Sequence, residues 1–218
     1  MHQTVKDLIM KKKTDATTTY RKETRLVRGG RSPDLTGPFV SPPVVRASTV
    51  LFENTAQLCG RASARYSYGL TNTPTIEALS GAINDLEEAH GTVLVPSGLA
   101  AVTIAIMAAL KTGDQILIPD NVYGPTRRFC DNTLSKFSVD VTYYDPLIGD
   151  QIATLFKPNI KAILMEAPGS HTFEMPDLRA FVAAAQKVNA ITMIDNTWAS
   201  PLFFKPVPFG IDYSIQAA

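Results

Sequence analysis

The residue pattern with the most chemical content is a carboxylate placed directly after an apolar run. Ile191-Thr192-Met193-Ile194 reads as a buried strand, and Asp195 follows it at once. In α/β proteins ligands collect in the crevice beyond the carboxyl ends of strands, so Asp195 is expected at a ligand mouth. A carboxylate there is costly unless paired, which calls for an Arg or Lys, a metal, or the protonated ring nitrogen of a cofactor. The plainer alternative is an Asp that caps the turn after the strand. Two further features stand at the same kind of position. Val95-Pro96-Ser97-Gly98-Leu99-Ala100-Ala101 reads as strand, turn and Ala-rich helix, whose free N–H groups at the helix start suit a phosphate. No Lys follows the Gly and there is no three-glycine pattern, so this is neither a Walker nor a dinucleotide motif. A simple helix cap is its alternative. Tyr123, in Asn121-Val122-Tyr123-Gly124-Pro125, offers an aromatic face past another strand end, either for a planar ligand or for packing on the surface. Anion site, flat face and carboxylate are together the needs of pyridoxal phosphate: its phosphate, its ring and its pyridinium nitrogen.

Elements must deliver those residues, and from Thr73 onward the chain alternates. Ile76, Leu79, Ala82, Ile83 and Leu86 recur at helical spacing behind Pro74. A strand is expected at 92–96, a helix at 97–111, a strand at 114–119 and a helix at 125–135. Strand 139–144, helix 148–156 and strand 160–166 continue the pattern, followed by helix 176–188, strand 190–194 and strand 212–216. This rhythm predicts an α/β fold with helices on both faces of a largely parallel sheet. Between Pro33 and Pro43 the Pro, Gly and Ser content predicts no regular structure.

Composition excludes more than it names. With 218 residues, 45% hydrophobic and 19% charged, the chain can bury a sizeable core. A net charge of +1 offers no field for nucleic acid or an anionic membrane to follow. No apolar run reaches the length of a membrane span, and the start lacks the apolar segment of a signal peptide. Cys59 and Cys130 are isolated thiols without metal-ligand spacing, which predicts no metal site and a reducing cytoplasm. The first 31 residues carry nine Lys and Arg against three acidic residues and read as a solvated basic arm.

Ordered landmarks then connect the chain to a known family. Thr24-Arg25-Leu26-Val27, Ala47-Ser48-Thr49-Val50-Leu51-Phe52, Ser97-Gly98-Leu99-Ala100-Ala101, Asp145-Pro146-Leu147-Ile148-Gly149, Glu166-Ala167-Pro168-Gly169-Ser170, Asp195-Asn196-Thr197-Trp198 and the run Phe209 to Ala218 resemble the pyridoxal-phosphate enzymes of cysteine and methionine metabolism. Trp198, where the γ-eliminating branch usually carries Phe, points to the β-eliminating branch. The resemblance implies the large domain of the fold type I, aspartate aminotransferase-like transferases, here incomplete, with an arm over 1–60, a partial cofactor domain over 61–218 and no C-terminal domain. It implies pyridoxal 5'-phosphate as cofactor and a sulfur-bearing amino acid as substrate, cystathionine being cleaved to homocysteine, pyruvate and ammonia. A γ-lyase or γ-synthase on the same scaffold, or an inactive fragment of a decayed gene, are the alternatives.

Roles follow position by position from the resemblance. Gly98 and Leu99 would hold the phosphate, Tyr123 would stack on the ring, Asp195 would face the ring nitrogen and Thr197 would support the ring beside it. Tyr68 would reach across a dimer interface, in a homodimer or homotetramer, toward the neighbouring cofactor. Where the family usually has a phosphate-clamping Arg this chain has Leu70, which leaves Arg61 or Arg65 to take that task. The family's Lys that bonds to the cofactor would come two residues after Ala218. No catalytic residue is therefore expected within the chain, and neither Lys205 nor Lys187 sits in a matching motif.

Overall fold

The computed structural model describes residues 20–60 and 62–217. Most lysines of the basic arm, Arg61 and Ala218 lie outside them. The chain divides into two compact units, Met1–Asp85 and Leu86–Ala218.

In the first unit, helices α1 (Lys22–Arg28), α2 (Pro33–Thr36) and α3 (Thr55–Leu58) are short and joined by extended chain, and α4 (Pro74–Glu87) begins there. The single turn of α2 departs from the expectation of no regular structure between Pro33 and Pro43. Pro33 stands in its first turn, where a missing N–H costs nothing. Gly37, at φ +57, then ends it. Tethers of this unit run through Thr75, whose Oγ1 accepts from Val45 N at 2.8 Å, and through Gly69. The backbone of Ala47 comes so close to Gly69 that a Cβ there would lie 2.5 Å from the Ala47 carbonyl carbon.

The second unit is built on a five-stranded parallel sheet in the order β2-β1-β3-β4-β5. Its strands are β1 (Gln115–Pro119), β2 (Asp140–Tyr144), β3 (Ile160–Glu166), β4 (Ile191–Asp195) and β5 (Tyr213–Ile215). Because side chains alternate along a strand, neighbouring residues enter opposite cores. Leu117, Ile163, Met165 and Ile194 pack on one face with Ile152, Phe181 and Ala185. Ile116, Ile118, Leu164 and Met193 pack on the other with Val102, Ile106 and Cys130. Burial on both faces explains why β3 is apolar from Ala162 to Met165 and β4 is apolar apart from Thr192 and its terminal Asp195. Helix α7 (Leu178–Lys187) contributes Phe181 to the first core, where its ring meets Tyr144 edge-on at 5.4 Å. Helices α5 (Gly98–Ala109) and α6 (Gly124–Asn132) cover the second.

Three expectations are corrected. Residues 92–96 form no strand. Val93 is 83% exposed, so the segment has no buried face to set against a neighbour. The helix expected at 148–156 is a 3-10 helix, Gly149–Leu155. The helix expected to run to residue 135 ends at Asn132, and a separate 3-10 turn, Leu134–Phe137, follows.

Candidate active site

The carboxyl ends of β3 and β4 lie side by side, with Glu166 in register with Asp195. Around them a continuous arc of contacts joins three loops. Tyr123, which precedes the first turn of α6, donates its backbone N–H to Glu166 Oε2 at 2.9 Å. Glu166 is the parallel neighbour of Asp195, whose Oδ1 accepts the N–H of Thr197 at 3.0 Å. Thr197 Oγ1 in turn accepts the N–H of Ala217 at 3.0 Å. A Cβ at Gly98 would lie 2.5 Å from Ala217 Cβ, so glycine is what lets the segment after β5 reach the start of α5. Expected site residues Gly98, Tyr123, Asp195 and Thr197 thus fall on one arc, with Leu99 next to Gly98 in the same helical turn.

Each position has a local cause. Ser97 caps α5, its Oγ accepting from Ala100 N at 3.1 Å. The N–H groups of Gly98 and Leu99 have no acceptor within the helix and remain available to an anion. Asp195 is half-buried, and its Oδ2 takes no hydrogen bond among the described residues. Its neighbour Asn196 is fully buried and anchors the turn, donating Nδ2 to Phe204 O at 3.1 Å and its backbone N–H to Ile215 O at 2.7 Å. The Tyr123 ring is 48% exposed, leaving a face to stack against. Its loop is stitched to the one after β3 by Asn121, which donates Nδ2 to Thr172 Oγ1 at 3.0 Å and to Glu174 Oε2 at 2.9 Å. Asn121 also lies against Gly169, where any Cβ would collide with its amide.

Glu166 was visible in the sequence only as part of a landmark. The sign that singled out Asp195 was present there too, since Ile163-Leu164-Met165 is an apolar run that ends in a carboxylate. Burial pushes its carboxyl up to about 7, and the charge of Asp195 adds to the rise, against the opposing pull of the Tyr123 N–H.

Other expected residues stand elsewhere. Tyr68 belongs to the first unit, partly exposed, with its hydroxyl 3.5 Å from Ser48 Oγ. Leu70 is 67% exposed. Arg65, a candidate clamp, is bound to Glu77 at 3.1 Å, and the other candidate, Arg61, lies outside the described residues. Lys205 pairs with Glu88 at 2.5 Å. Among the described residues no cluster of His, Cys, Asp and Glu could hold a metal, and no helix is long and apolar enough to cross a membrane.

The donor set fits pyridoxal phosphate on its own chemistry. Helix-start N–H groups match an anion, the open Tyr123 face matches a ring, and a carboxylate with one unengaged oxygen matches a protonated ring nitrogen.

Comparison with known proteins points the same way. A protein of Rhizobium johnstonii, provisionally named a cystathionine β-lyase, is 50% identical over 195 residues, which are 89% of this chain and 49% of the relative. The cystathionine β-lyase of Haemophilus influenzae is 42% identical over 206 residues, 92% of this chain and 52% of the relative. The crystal structure of cystathionine γ-lyase from Lactobacillus plantarum, complexed with L-serine, superposes with a TM-score of 0.82 at 31% identity, covering 90% of this chain and 50% of that one. The chain spans about half the length of the relatives it matches. The model of one family, described as Cys/Met metabolism PLP-dependent enzyme, matches residues 23–218. With that span and the arc of strand-end residues together, the chain belongs to the pyridoxal-phosphate-dependent enzymes of cysteine and methionine metabolism.

Proposed function

We propose that the full-length gene product is a carbon–sulfur lyase of the cystathionine β-lyase type, acting on cystathionine and water to release homocysteine, pyruvate and ammonia. The observation that supports this reading is the arc of contacts from Tyr123 through Glu166, Asp195 and Thr197 to Ala217 and Gly98, which links a helix start, an exposed aromatic residue and a carboxylate. When bound, pyridoxal phosphate supplies an electron sink for the pair left behind as a substrate α-proton departs. Asp195 holds the proton on the ring nitrogen, and that positive charge is what makes the sink effective. Gly98 and Leu99 bind the phosphate through their N–H groups and so set the depth of the ring. Tyr123 covers one face of the ring, which excludes water from that side. Thr197 fixes Asp195 through its backbone and ties the turn to Ala217, in the segment after β5. Tyr68 and the apolar residues of the first unit serve subunit association, and Cys59 and Cys130, both unlinked, accord with a cytoplasmic setting.

A γ-elimination on the same scaffold is the second reading, favoured by the likeness to the Lactobacillus plantarum γ-lyase. The test is to incubate the full-length gene product with pyridoxal phosphate and cystathionine and identify the products. Pyruvate with homocysteine is the expected outcome. Cysteine with 2-oxobutyrate would assign γ-elimination instead, and no product of either kind would reject both.

A further inference from the structure

Glu166 is a second carboxyl at the mouth of the site, and the strand-end pair calls for an account of which member carries the charge. Its Cα is the direct parallel neighbour of the Asp195 Cα, a spacing of about 4.8 Å between strands. In-register side chains on parallel strands share a face, and the charge of Asp195 raises the Glu166 carboxyl further above its ordinary range. Asp195 is half-buried, whereas Glu166 is 9% exposed. The other titratable group facing Glu166 is the Tyr144 phenol, fully enclosed and donating to Leu164 O at 2.8 Å, so it brings no positive charge. Glu174, on the loop beyond, is engaged by Asn121 and Thr172. No ion pair to Glu166 occurs among the described residues. Meanwhile its Oε2 receives the backbone N–H of Tyr123, the residue whose ring faces the ligand space.

We propose that Glu166 is a positioning residue of the ring site: it pins Tyr123 through the backbone, and its burial beside Asp195 keeps its own carboxyl from adding a second negative charge there. This rests on the pyridoxal-phosphate reading given above. Burial lifts the Glu166 carboxyl to about 7, which agrees with a proton held there around neutrality. The glutamate therefore works without touching the cofactor. It sets the placement of Tyr123 and adds no second charge beside Asp195.

The experiment uses the full-length gene product with three variants, Glu166→Gln, Glu166→Ala and Asp195→Asn, first without cofactor. Hydrogen exchange at the Tyr123 amide should be slow in the parent and in Glu166→Gln, whose amide oxygen still accepts, and at least tenfold faster in Glu166→Ala. Equal exchange in the parent and Glu166→Ala overturns the pinning role. If Glu166→Ala does not fold, fast exchange in well-folded Glu166→Gln overturns it equally. Carboxyl titration by infrared or carbon NMR should show a protonated acid persisting to near-neutral pH in the parent, missing from Glu166→Gln and titrating at lower pH in Asp195→Asn. An unchanged titration in Asp195→Asn overturns the influence of Asp195 on the Glu166 carboxyl. Pyridoxal phosphate is then added to the parent. A parent that fails to bind it sinks the cofactor reading, whereas the exchange and titration results judge Glu166 by themselves.

Discussion

Two carboxyls stand at adjacent strand ends, Glu166 in register with Asp195, and each has a measurable signature. On the proposed reading, Asp195 would pair with a ring nitrogen through a charge-assisted hydrogen bond, worth about 1.5–3 kcal/mol. Asp195→Ala in the full-length gene product should therefore lower pyruvate release by roughly tenfold to a hundredfold, and Asp195→Glu by clearly less. Equal losses in the two variants would mean that the charge is irrelevant. Glu166 has a pH signature. Its value in the folded chain is about 7, above the ordinary 4.5. The folded state then binds the proton more tightly than the unfolded one, so the stability it contributes is complete below about 4.5 and lost as pH rises through 7. Glu166→Gln removes this slope. Relative to the parent, the variant should gain up to about 3 kcal/mol between pH 4.5 and pH 8, read from urea unfolding at the two pH values.

The elements bring these residues together, and their failure modes differ. Gly98 opens α5 against Ala217, and a Cβ there would sit 2.5 Å from the alanine methyl. Gly98→Ala should force the two segments apart, costing about 1–3 kcal/mol in stability and weakening pyridoxal phosphate binding in an equilibrium titration. Phe181 lies in the opposite core, wholly buried against Tyr144. Phe181→Ala should cost about 3–5 kcal/mol in denaturant unfolding without any direct contact with the site. Sequence reading found the inner strands because a strand buried on both faces is mostly apolar, as Ala162–Met165 and, apart from the buried Thr192, Ile191–Ile194 are. It misread 92–96 because an apolar segment shows its residue types and not whether a neighbour stands beside it. The 3-10 winding of Gly149–Leu155 was hidden for a similar reason, since helical periodicity over two turns does not separate 3.0 from 3.6 residues per turn. At the site, Asp195, Gly98 and Tyr123 were legible from their own neighbours in sequence. The pairing of Glu166 with Asp195 was not, because it depends on the register of two strands separated by a helix. The contact between Gly98 and Ala217 was equally illegible, because it joins the two ends of the second unit.

At the scale of the whole molecule, the first unit leaves Phe39, Val40, Val44 and Leu51 between 69% and 94% exposed, more apolar surface on one segment than an isolated subunit normally shows to water. Sedimentation of the full-length gene product should give a dimer or tetramer, and Val44→Asp with Leu51→Asp should shift it toward smaller species. A monomer in the parent would exclude association through this segment. The junction of Gly98 with Ala217 has a further consequence, one of order in time. About 120 positions separate the two partners, so the anion site lacks its far wall until nearly all of this unit has been synthesised. Chain growth runs from the amino end at roughly 5–20 residues per second, and α5 leaves the ribosome several seconds before the segment that closes over it. During that interval the nascent helix start faces water with its N–H groups solvated. On the proposed reading, a phosphate cradle at the start of α5 would be complete only after the segment beyond β5 has emerged.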